Sequence, residues 1–401
     1  MKVNWKINYI FPTEKPEHIG LKIKNENVEF IFPQNFYSNG GTVNVTEEEI
    51  KEDIMLICRY LNKYKEAKHV NDFGKEQIPI ESYLWILRNY IINGYYIEKQ
   101  NENPKGRDGK INWKKTIKNN ELYLDEDNIV YKQFITNKRK NNINNIITEI
   151  NKWCVYDAVK KFGWYYNIIN IEKPVINIDN ETCLRILKEE LSKTFLDSKK
   201  ILLQNMINIF SGLDQNIYST QEFEISTPDF DSIFEKLVDE AFGTEDVNKY
   251  LPRAEWIINN RETIQASHLT PDTIMKYGKN IYVIDAKNYT YGYTGIGLPQ
   301  TADINKQITY AENIEINFSD DIDNIYNIFI LPYCCNKEEL PIKYVGFSKS
   351  TWKKSGKKYE NVHVVLVDLK KLLNHNLFEN KRKNIEKLSN CILIQEEKWR
   401  N

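Results

Sequence analysis

Three side chains in the second half of the chain have the types and spacing to do chemistry. The stretch Leu269–Lys287 reads LTPDTIMKYGKNIYVIDAK, with Asp272 after a proline and Asp285 two residues before Lys287. Side chains alternate across a strand, so Ile281, Val283, Asp285 and Lys287 share one face while Tyr282, Ile284 and Ala286 share the other. The acid and the lysine therefore stand together at one end of an otherwise apolar face. Burying either charge alone is expensive, and pairing them offsets only part of that cost. A cation site at a strand end supplies a reason. Asp272 precedes a short strand, Thr273 to Met275, that can pair with the first through the KYGKN turn, and the two carboxylates then converge. Such a pair suits a hard, oxygen-preferring cation with a lysine beside it. A Pro-Asp pair alone is a turn and D-x-K alone recurs by chance, so the order and spacing carry the inference.

The elements around this strand add candidates. In FDSIFEKLVDEAF, Phe230, Phe234, Leu237, Val238 and Ala241 form a buried stripe, with Asp231 and Glu235 one turn apart on its border. Glu235 can thus reach a site beside the core. In DINKQITYAENI, Gln307 and Tyr310 are three apart and share a helix face, where they could touch a phosphate or a base edge.

The rest of the chain bounds these readings. Its 401 residues are 41% hydrophobic and 12% aromatic, with 25 Tyr, enough to fill two cores. Charge is balanced, 55 Lys and Arg against 56 Asp and Glu, so no overall field announces nucleic acid or a membrane. With no secretory signal and no apolar run of membrane-spanning length, a soluble cytoplasmic chain is expected. The six cysteines show neither zinc-site spacing nor a secreted framework.

Helical periodicity marks TEEEIKEDIMLICRYLNKY behind a Thr46/Glu49 capping box, and ESYLWILRNYIING ending at Gly94. It also predicts one long helix over 141–162 and another from about Glu181 to Gly212. The second half alternates helices with the short runs NIYVIDAKNY, YNIFILPY and NVHVVLVDL. The expectation is a mixed α/β N-terminal domain over 1–200, for docking or DNA recognition. A 201–401 domain follows it, with a central mixed sheet flanked by helices.

TPD with IDAK and the preceding FEKLV helix resembles the PD-(D/E)xK nuclease core, and QITY resembles its Q-x-x-x-Y element, over roughly Asp229 to Leu369. GKINWKKTIK, WCVYDAVKKFGW and YSTQEFE are similar to the LlaJI-type restriction endonuclease family, whose nuclease subunit is McrC-like. These resemblances imply Asp272 and Asp285 as ligands of Mg²⁺, for which Mn²⁺ could substitute. They give Glu235 a role supporting the metal or its water, and Lys287 the task of orienting and helping to deprotonate the attacking water. Asp285 stands where many members carry Glu.

The implied substrate is double-stranded DNA, and the implied partner a McrB-like AAA+ GTPase that recognises the site and translocates. The chain has no G-x-x-x-x-G-K-[ST] loop of its own, so a nucleotide-driven step must come from a partner. Basic runs interleaved with aromatics, KGRDGKINWKKTIK, NKRKNN and SKSTWKKSGKKYE, suit phosphate contact. Two other classes stay open: a stand-alone type II enzyme that reads its own site, and a non-catalytic docking protein with a degenerate nuclease fold. A homodimer or higher assembly is compatible with either. None of the five histidines accompanies a nucleophile motif, and only His268 lies near the acids.

Overall fold

The computed structural model describes residues 5–37, 45–64, 78–125, 128–142, 145–169, 171–176, 178–212, 222–259, 263–318, 322–335, 341–353, 355–374 and 380–400. In chain order, β1 (Lys6–Ile10), β2 (Ile19–Lys24), β3 (Asn27–Ile31) and α1 (Glu47–Tyr64) come first. Then follow α2 (Ile80–Asn93), β4 (Glu98–Glu102), β5 (Lys110–Ile111), α3 (Trp113–Asn119), β6 (Tyr123–Asp125), β7 (Asn128–Val130) and β8 (Thr136–Asn142). Three helices, α4 (Ile146–Phe162), α5 (Asn180–Lys193) and α6 (Asp197–Ser211), lead to β9 (Glu222–Thr227) and α7 (Phe230–Phe242). The remainder comprises β10 (Glu255–Ile257), β11 (Thr263–Gln265), β12 (Thr273–Tyr277), β13 (Asn280–Ala286), α8 (Tyr291–Thr294), α9 (Thr301–Asn317) and β14 (Asn324–Tyr333). It closes with β15 (Ile342–Lys349), β16 (Asn361–Asp368), α10 (Leu369–Leu373) and α11 (Lys381–Arg400).

These elements form two compact units whose boundaries are not a single cut near residue 200. Residues 72–221, with the first five, make one; residues 6–71 and 222–401 make the other. The reason is strand pairing: β9 lies antiparallel to β2, from Ile19 with Thr227 to Lys24 with Glu222, in a four-stranded sheet of order β1-β3-β2-β9. Residues 6–71 thus fold with the second half of the chain.

The smaller unit packs α2, α4, α5 and α6 together, beside a three-stranded sheet β4-β8-β5 and a β6-β7 hairpin. Two expected helices differ here. The one predicted over 141–162 begins only at Ile146, because Lys138 to Asn142 pair with β4 as a strand. The one predicted from 181 to 212 breaks between Lys193 and Asp197, where the Thr194 hydroxyl caps the Glu190 carbonyl at 2.8 Å.

In the larger unit the expected mixed sheet is present, five strands in the order β12-β13-β14-β16-β15. Its centre is parallel, β13 with β14 and β14 with β16, and both edges are antiparallel. α9, the crossover between β13 and β14, covers one face; its Ile308, Tyr310, Ala311 and Ile314 share a core with Ile281, Val283 and Phe329. Side chains of opposite parity face the other way: the Tyr282 hydroxyl meets Ser389 of α11 at 2.6 Å. α7 begins at Asp229, whose carboxylate accepts from the Ser232 N–H at 3.2 Å, and packs against β12 and β13.

One glycine sets how closely β2 and β9 approach. Gly20 in β2 has φ +137°, and a Cβ there would sit 2.1 Å from the Ile225 carbonyl oxygen of β9. Gly20→Ala must therefore push the strands apart or strain the backbone. We expect a loss of about 2 to 4 kcal/mol, read by denaturant unfolding and by faster amide exchange in 222–227. Unchanged stability would refute this account of the sheet.

Candidate active site

The β12-β13 hairpin brings the two acids together. Its turn, Gly278-Lys279, has Gly278 at φ +62°, as a type II′ hairpin requires at that position. This fixes the register, ending with Thr273 opposite Ile284. Asp272 lies one residue before this pair, close enough for the Asp285 charge to act on it. The Asp272 Oδ2 accepts the Ala286 N–H at 2.8 Å, which pins the carboxylate to the neighbouring strand.

Asp285 is only 1% exposed, near the C-terminal end of β13 and opposite Phe329 of β14. Its carboxylate is thus buried although it stands near the strand end. The Oδ2 meets the Lys287 ammonium, while Oδ1 is buried without a hydrogen-bond partner among the described residues. The Lys287 side chain is 17% exposed, and its backbone N–H continues the parallel ladder to the Ile330 carbonyl at 2.9 Å.

Electrostatics follow from this crowding. Burial pushes the Asp272 carboxyl up to about 7, the charges of Asp285 and then Glu235 adding to it, while the Ala286 N–H and Lys287 offset part. Burial alone would lower the Lys287 ammonium, but the Asp285 contact and charge, with Asp272 and Asp303, outweigh it and hold its pKa up. The metal-free lysine is therefore a firm cation, suited to orienting a water but not, as the resemblance implied, to helping deprotonate it.

Glu235, half-buried on α7, is near enough to act on Asp272. No group of three or more His, Cys, Asp and Glu among the described residues is arranged to hold a metal ion. Asp272 and Asp285 still fit a hard cation: a buried carboxylate oxygen without a partner among the described residues and a carboxyl driven up by burial and like charge are what such an ion would relieve.

Both α9 candidates are fully buried. The Tyr310 hydroxyl donates to the Thr270 carbonyl at 2.7 Å, so it braces the segment leading to Asp272. Gln307, one turn earlier, is 0% exposed with neither amide atom hydrogen-bonded among the described residues. His268 is exposed and takes no part in these contacts. Unforeseen in the sequence are Asn288 and Asn35. The Asn288 amide donates to Asp231 at 3.0 Å, and the Asn35 amide to the Tyr289 carbonyl at 3.2 Å. Nothing local in the sequence ties Asn35 to a segment 254 positions away.

Among curated protein sequences none matches the chain. Of solved structures, it is similar to a refined half-complex from a tetradecameric assembly of Thermococcus gammatolerans McrB AAA+ hexamers with bound McrC. That likeness has 13% identity and a TM-score of 0.39, over 94% of this chain and 83% of that one. A cryo-EM structure of the Thermococcus gammatolerans McrBC complex is similar at 13% identity and a TM-score of 0.24, over 58% and 69%. The LlaJI restriction endonuclease family matches residues 18–348, which include the β12-β13 hairpin, Glu235, Gln307 and Tyr310, and the chain belongs to that family.

Proposed function

We propose that the chain is the DNA-cutting subunit of a restriction system, a Mg²⁺-dependent endonuclease of the PD-(D/E)xK type that works with a McrB-like AAA+ GTPase. The observation that carries the reading is that one hairpin brings Asp272 and Asp285 together, with Lys287 against Asp285 and one Asp285 oxygen without a partner among the described residues. Membership of a restriction endonuclease family supports a nuclease. The absence of a phosphate-binding loop from the sequence supports a separate motor subunit.

Asp272 and Asp285 would hold the cation, with Glu235 supporting it or its water. Bound there, the cation would neutralise charge developing on the phosphate and lower the pKa of a bound water. The chain's own residues do the rest. Lys287, kept protonated by its neighbours, donates to the attacking water or a phosphoryl oxygen. Tyr310 holds the Asp272 segment in place through Thr270. Gln307 offers an unspent amide on the same buried helix face.

Purified protein should cut double-stranded DNA with Mg²⁺ or Mn²⁺, and faster with its GTPase partner and GTP. Asp285→Asn and Lys287→Ala should each lower the single-turnover rate by about 100-fold or more while DNA binding persists. Cutting at the parental rate by either variant would refute the assignment.

The Asp272 shift gives a second test. Its folded pKa lies above the unfolded value, so its contribution to stability is present at low pH. That contribution is lost as pH rises from about 4 through 7, at most about 4 kcal/mol. Metal-free Asp272→Asn should accordingly melt higher than the parent at pH 8, the gap narrowing toward pH 5. Added Mg²⁺ should raise the melting temperature of the parent alone. Equal stabilisation of both proteins would remove Asp272 from the metal site.

A further inference from the structure

The chain leaves β13 through a tight turn. The Tyr289 N–H donates to the Lys287 carbonyl at 2.7 Å, a three-residue γ-turn centred on Asn288 and closed immediately after the lysine. Such a turn is weak alone and needs outside support. One brace is part-buried: the Asn288 amide on Asp231, which Lys15 also contacts at 2.5 Å. The other is buried. Asn35 is 4% exposed, and its amide nitrogen donates to the Tyr289 carbonyl at 3.2 Å.

Asn35 is itself held rigidly. The Phe36 N–H meets the Pro33 carbonyl at 3.3 Å, and Asn35 has φ +63° while Gln34 has a negative φ, the arrangement of a type II turn. Phe36 and Tyr37 on one side, with Phe32 on the other, pack ring against ring at 5.0 to 5.5 Å. The turn therefore presents the amide from a fixed platform. Its purpose is not to satisfy Asn35, whose Oδ1 has no partner among the described residues.

We propose that Asn35 is a positioning residue for Lys287, fixing through the Tyr289 carbonyl where the ammonium stands against Asp285. This rests on the nuclease reading above. It assigns part of the catalytic geometry to the β3-α1 connection, far from the motif in sequence.

Asn35→Gly separates the two roles of the residue, because glycine suits the third position of a type II turn but carries no amide. In the full chain within its native assembly, kcat should fall about 10- to 100-fold, with KM for DNA and the half-saturating Mg²⁺ concentration unchanged. Amide exchange in the peptide covering 285–292, followed by mass spectrometry without metal, should quicken. The melting temperature should hold.

An undiminished kcat overturns the proposal, whether or not exchange quickens, since the contact would then be structural only. So does a rise in KM at constant kcat, which would make Asn35 a DNA contact. If the glycine variant does not fold, Asn35→Asp is read the same way: it tolerates the left-handed backbone and turns a donor into an acceptor facing a carbonyl. Lys287→Ala run alongside keeps the two readings apart. If Lys287→Ala is inactive and Asn35→Gly fully active, only the positioning role falls; if Lys287→Ala cuts normally, the nuclease assignment falls and takes this inference with it.

Discussion

Two carboxylates held close together at one hairpin, in an interior that disfavours charge, are the constraint on which the larger unit is built. Left alone, Asp272 and Asp285 repel, and burial penalises each. Lys287 relieves one Asp285 oxygen and the Ala286 N–H one Asp272 oxygen. Neither contact neutralises the pair, so Asp272 is driven up to about 7. A fold holds such a cluster only if the surrounding structure makes every other arrangement worse.

The sheet does this through its placement of β13. With β12 hydrogen-bonded on one side and β14 on the other, this strand cannot shift register without carrying Ile281 and Val283 out of the α9 core. α9 then contributes twice: its apolar residues close the core, and Tyr310 reaches past it to the Thr270 carbonyl. Packing and positioning are done by the same helix face, which is why Gln307 and Tyr310 are both buried.

Much of this was legible from local pattern. The run NIYVIDA alternates as a strand, KYGKN reads as a hairpin turn, and the Thr46/Glu49 box appears with the Thr46 N–H on Glu49 at 2.8 Å. What local pattern misses is pairing at long range. Nothing in EFEIST announces that β9 will find β2 some 200 positions earlier, so a boundary near residue 200 looked natural although the fold closes around it. Charge misled in a different way: NKRKNN has no apolar alternation, yet it forms β8 because β4 supplies the ladder. Tyr310 illustrates a third limit. Its spacing from Gln307 placed both on one helix face, but only packing decides that the face turns inward.

Because residues 6–71 and 222–401 share one unit, the motif-bearing hairpin is not a self-sufficient module. β9 leads directly into α7, which carries Glu235, so the strand that joins the N-terminal sheet also sets where that acid enters. The β3-α1 turn reaches Tyr289 from the same N-terminal segment, two residues beyond Lys287. Both routes end at atoms within or adjoining the charged cluster. The site's stability and geometry are thus drawn from the sheet β1-β3-β2-β9 as well as from the sheet that bears the acids. Selection on the motif alone could not preserve such a centre. It also requires that Gly20 admit β9 and that a left-handed residue with an amide stand at position 35.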